Sequence, residues 1–133
     1  MATIGGITLA ATVRAPGAAR REVRRRLEGR LAGDRLRDAE LIVSELVSNA
    51  VLHAPHAGVL EVWIRADAGR LRVELSYAGE GPPGTPPPLP PPHAERGRGL
   101  LIVDALADRW GACGNGVTCV WFELDVADRG EAG

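Results

Sequence analysis

Apolar positions recur with two different periods along this chain, and the switches between them outline its elements. Ile7, Leu9, Ala11 and Val13 alternate with polar or small neighbours, which predicts a half-buried strand that Pro16 and Gly17 then break. Val23, Leu27 and Leu31 recur every four residues, predicting an arginine-rich first helix closed by Gly33. Asp34 is placed to cap a second helix, which runs through Ile42, Leu46 and Ala50 until Pro55 stops it. Leu60, Val62 and Ile64 alternate with Glu61, Trp63 and Arg65, and Leu71, Val73, Leu75 and Tyr77 alternate with Arg72, Glu74 and Ser76. These are two strands that Ala68 and Gly69 can join as a hairpin.

The pattern then stops. Eight of the ten prolines lie between Pro82 and Pro92, so residues 82–93 can form neither helix nor central strand and are expected to be a loop of polyproline character. An apolar helix follows, and after it come two strands, Trp110 to Cys113 and Thr118 to Val126, that Asn115 and Gly116 can join. The expected fold class is α+β, a two-layer α/β sandwich with a mixed sheet covered on one face by helices. At 133 residues and 45% hydrophobic content, one domain over residues 1–133 is the expected count, with the proline-rich loop inside it.

Composition narrows the function classes. The formal net charge is −1, which gives no footprint for nucleic acid. All 16 basic residues are arginine, so no lysine is available to bind phosphate. Cys113 and Cys119 have a spacing that suits neither a zinc knuckle nor a thioredoxin-like pair, and they are expected to be buried thiols on or between adjacent strands. With no secretory leader pattern and no membrane-length apolar run, the expected location is cytoplasmic, with no membrane partner.

Candidate chemistry sits in two segments. Glu45, Asn49 and His53 are spaced by four residues, so on a helix they form one stripe, each drifting about 40° from the last. That stripe lies beside the apolar one of Ile42, Leu46 and Ala50, where it would edge a cleft. Downstream, Arg96, Gly97, Arg98, Gly99 and Leu100 open the apolar helix. Bare backbone N–H groups at a helix start bind phosphate, and Arg98 adds charge there.

Taken in this order, the two segments resemble the N box and second glycine box of the Bergerat-fold, histidine-kinase-like ATPases. The closer likeness is to the stand-alone anti-sigma-factor serine/threonine kinases. Three other pieces are similar to that branch: Ala19, Arg20 and Arg21; Ala107 to Gly111; and Val120 to Leu124. The resemblance implies an ATP-binding regulatory protein in which Asn49 holds Mg²⁺ and Glu45 orients or deprotonates the attacking hydroxyl. It also implies that His53 packs under the nucleotide, and that Arg96, Gly97, Arg98, Gly99 and Leu100 meet the phosphates. The implied partners are an anti-anti-sigma-factor protein, a sigma factor, or both. The N-terminal strand and first helix are candidate surfaces for them or for a homodimer.

One position departs from the family pattern. Where the family has an Asp-x-Gly-x-Gly box whose carboxylate accepts a hydrogen bond from the adenine amino group, this chain has Tyr77, Ala78, Gly79, Glu80 and Gly81. Gly79 and Gly81 preserve the turn, but the acceptor has become a phenol. Two functions therefore stay open: an active kinase, and a non-catalytic relative that binds its partner protein with weak or no ATP binding.

Overall fold

The computed structural model describes residues 2–53, 58–67, 69–78, 98–114 and 118–126. In chain order the elements are β1 (Ala2–Ala10), α1 (Ala15–Leu27), α2 (Gly33–His53), β2 (Val59–Ala66), β3 (Arg70–Tyr77), α3 (Arg98–Leu106), β4 (Arg109–Gly114) and β5 (Thr118–Asp125). The five strands make one sheet in the order β1-β2-β3-β5-β4. The proline-rich 82–93 segment and the Asn115-Gly116 turn lie outside the described residues.

Every neighbouring pair in that sheet is antiparallel, which corrects the expected mixed sheet. The reason is the position of β5. β4 follows a crossover through α3 and runs in the same direction as β3, but β5 sits between the two and opposes both.

Period-two alternation holds well in the middle strands. Leu60, Val62 and Ile64 on β2 and Leu71, Val73 and Leu75 on β3 are buried, and Val120, Phe122 and Leu124 of β5 join them in the register. This row packs against Ala19, Val23 and Leu27 of α1 and against Ala39, Ile42, Val43, Leu46, Val47 and Ala50 of α2. Among the described residues, helix cover is confined to that face. Glu61 and Trp63 of β2 point the other way and are exposed.

Three boundaries differ from the sequence expectation. β1 ends at Ala10, and Val13, at 89% exposure, is outside it. Pro16 and Gly17 do not separate a strand from a helix: Pro16 lies in the first turn of α1, where the missing N–H costs nothing because that turn has no intrahelical acceptor for it. The same helix stops at Leu27, ahead of Leu31. Gly29 takes a φ of +87°, a left-handed turn that glycine adopts without strain, and Gly33 opens α2 instead of closing α1.

The cysteines also differ from expectation. Cys119 is disulfide-bonded, not a thiol. The chain's one other cysteine, Cys113, stands directly opposite it in the β4–β5 register, so the spacing that matched no metal site is that of a hairpin crossing.

Candidate functional site

Helix α2 presents its apolar stripe to the core and carries Glu45, Ser48 and Asn49 half-buried alongside it. Glu45 and Asn49 follow one another by a single helical turn, as their spacing predicts for a helix. Among the described residues neither side chain has a hydrogen bond or an ion pair. Their neighbour Ser44 is fully engaged: buried at 3% exposure, it receives a bond from Arg20 at 3.2 Å and donates to the Leu41 carbonyl at 2.9 Å. Polar groups half removed from water and left without a protein partner are available to a ligand. His53 is the last residue of α2, and its side chain lies outside the described residues.

Tyr77 closes β3, and the structure places it in the core. Its ring is 9% exposed, set between Leu60 of β2 and Thr118 of β5 in the register. Burial pushes the phenol above its ordinary pKa, and the hydroxyl has no hydrogen bond among the described residues. Gly79, Gly81, Arg96 and Gly97 lie outside the described residues. Arg98, Gly99 and Leu100 form the first turn of α3, with their side chains outside the described residues.

The two helices carrying these segments are packed together and tied at one end. Arg35, in the first turn of α2, donates to the Leu106 carbonyl at 3.4 Å and to Asp108 Oδ2 at 3.0 Å, just past the end of α3. The start of α2 therefore meets the end of α3.

The Ala107–Gly111 segment explains that tie. Asp108 Oδ2 also accepts the backbone N–H of Asp125 at 2.6 Å, so one carboxylate joins α2, the α3–β4 junction and the last strand. Arg109 spans Glu123 Oε1 at 2.8 Å and Asp125, while Trp110 Nε1 donates back to Asp104 on α3 at 3.0 Å. A Cβ at Gly111 would come within 3.0 Å of Trp121 Cζ2, so the missing side chain makes room for that ring.

A second polar cluster lies on the helix-free face, and its connectivity was not anticipated from the sequence. Glu123, 7% exposed, accepts from Arg109 and from Arg72 Nη1 at 3.0 Å, and Arg72 also reaches Glu74 at 2.8 Å. The Arg72 guanidinium lies 4.2 Å from the centre of the Trp121 ring. The hydrogen bond from Arg109, opposed by desolvation and joined by that from Arg72, holds the Glu123 carboxyl below the usual glutamate range. Alternation put these residues on the outer face. Which carboxylate met which arginine depended on strand order, a long-range property.

A helix-backed antiparallel sheet, with a Glu–Asn pair on its long helix that has no partner among the described residues, defines a two-layer α+β sandwich. Residues 9–124 match the histidine kinase-like ATPase domain, and the chain belongs to that family. No curated protein matches the sequence significantly.

Proposed function

We propose that the protein is a regulatory ATP-binding switch of the anti-sigma-factor serine/threonine kinase type. Its partner would be an anti-anti-sigma-factor protein, a sigma factor, or both. The observation that carries the reading is the pair Glu45 and Asn49, half-buried and without partners among the described residues, on the long helix of a family member.

The donor set fits Mg-nucleotide. Among the described residues no three His, Cys, Asp or Glu side chains converge on a metal position, so a divalent ion would depend on a neutral oxygen and on the nucleotide's own phosphates. Asn49 offers that oxygen. Mg-ATP, when bound, supplies the phosphoryl group for a partner's serine or threonine. Glu45, one turn away, would accept the proton of the attacking hydroxyl on its carboxylate, within hydrogen-bond reach. The first turn of α3 would add backbone N–H groups for phosphate.

Tyr77 favours a second reading. A buried phenol on the strand end where relatives carry an adenine-reading carboxylate fills space the base would need, and this supports a member that binds its partner with weak or no ATP binding. Calorimetric titration with ATP and Mg²⁺ separates the two. The kinase reading expects binding by the parent, loss of Mg²⁺-dependent binding in Asn49→Ala, and retained binding without phosphoryl transfer in Glu45→Gln. Unchanged Mg-ATP affinity in Asn49→Ala would remove Asn49 from the site, and no binding by the parent would leave the partner-binding reading.

A further inference from the structure

Strand β1 is one edge of the sheet, and among the described residues its outer row of backbone groups is unpaired except at the Ala10 carbonyl, which accepts the Thr12 N–H at 2.8 Å. The Ala11 N–H bonds the Gly58 carbonyl at 3.0 Å, and the register carries that pattern back through Leu9 with Leu60 and Ile7 with Val62. Hydrogen-bonded positions alternate in an antiparallel pair, so Gly6, Thr8 and Ala10 turn their N–H and C=O groups away from β2. β1 contains no charged residue and no proline, the usual devices that stop an edge from recruiting another strand.

Beside this edge runs a groove of about 370 Å³ between β1 and α1, lined by Gly6, Thr8, Arg21, Glu22, Arg25 and Arg26 among others. Glu22 engages Arg25 at 2.7 Å and Arg26 at 3.3 Å. Arg21 has no ion pair among the described residues, so the lining carries a surplus of positive charge. Arg26 also lies against Gly5, holding its guanidinium over the strand.

We propose that this edge is a docking site for an extended acidic segment of a partner protein, added to β1 as a sixth strand. The backbone of the segment would pair with Gly6, Thr8 and Ala10, and its alternate side chains would point toward α1, where carboxylates meet Arg21, Arg25 and Arg26. Charge decides against a second copy as the occupant. Two β1 edges joined about a dyad would bring two arginine rows face to face. The site is independent of the nucleotide reading.

The test uses a fluorescently labelled peptide of alternating glutamate and threonine, with a lysine–threonine peptide of equal length as control, and reads anisotropy. The glutamate peptide binds the parent and the lysine peptide does not. Combined Arg21→Glu and Arg25→Glu substitution weakens binding by about tenfold or more. Thr8→Pro removes one outward N–H, leaves every charge in place, and weakens binding comparably. A folded Thr8→Pro protein that binds as tightly as the parent overturns strand addition. If that variant does not fold, amide exchange on the parent decides: peptide slows exchange at Gly6, Thr8 and Ala10, and unchanged rates overturn the proposal. A concentration-dependent dimer that Thr8→Pro disperses would give the edge to a second copy and also overturn it.

Discussion

Substituting Tyr77 by aspartate sets two consequences against each other, and both have sizes that can be worked out. The ring is 9% exposed and packed between Leu60 and Thr118, so its removal costs on the order of 3 kcal/mol in lost burial and cavity. A carboxylate in the same place is desolvated as well, which adds to that cost unless a ligand pairs with it. Domains of this size are stable by about 5–15 kcal/mol, so Tyr77→Asp should fold with a markedly lower melting temperature. On the ligand side, if the proposed nucleotide site is used, the introduced carboxylate would supply the acceptor for the adenine amino group. A hydrogen bond to a charged group contributes about 1.5–3 kcal/mol, equivalent to roughly ten- to hundredfold in ATP affinity. GTP presents a carbonyl there and should gain little. Calorimetry with both nucleotides, beside thermal melts with and without ATP, measures both consequences. Tyr77→Ala separates room from recognition: it opens space but adds no acceptor, so it should gain less than the aspartate variant and discriminate less. Tight, adenine-selective binding by the unmodified protein would refute the reasoning, as would a folded aspartate variant with no gain.

Other predictions follow from the packing. Glu123→Gln should lower stability at neutral pH by about 1–2 kcal/mol, because Arg109 and Arg72 lose a charged acceptor while remaining partly solvated. The folded-state pKa of Glu123 is depressed, so its stabilisation is complete above the unfolded value and is lost as pH falls through the lowered one. Denaturant midpoints of the parent should therefore drop below about pH 4.5, and those of Glu123→Gln should drop less; parallel acid profiles would contradict this. Asp108→Ala, which releases both Arg35 and the Asp125 amide, should cost about 1 kcal/mol in urea unfolding, and an unchanged midpoint would show that the tie contributes nothing. Gly99→Val should weaken ATP binding while leaving the fold intact, since valine is no poorer a helix former than glycine in the first turn of α3; unchanged binding would place the phosphates elsewhere.

What was legible in the sequence was local. The alternation in β2, β3 and β5 survives because each strand has one covered face, and the Glu45–Asn49 stripe survives because helical pitch alone fixes it. Punctuation was read less well. Pro16 and Gly33 each suit a helix start as well as a break, and only the left-handed turn at Gly29 shows which boundary was used. Strand direction was misread because β5 enters between β3 and β4, an arrangement no single segment encodes. The contact of Arg35 with Asp108, 73 residues away, depends on the same long-range order, whereas Cys113 and Cys119 stand opposite each other across a hairpin that the sequence does show.

Because Asp108 fastens the far end of α3 to α2 and to the last strand, that helix has the mechanics of a short lever with its fulcrum at Asp108. Pivoting the rod by some ten degrees moves its glycine end by roughly 2 Å and its tethered end hardly at all. Displacement at the tip is thereby converted into torque on the carboxylate that also grips the Asp125 amide. A load applied at Gly99 would reach β5, inside the sheet, without any strand having to slide.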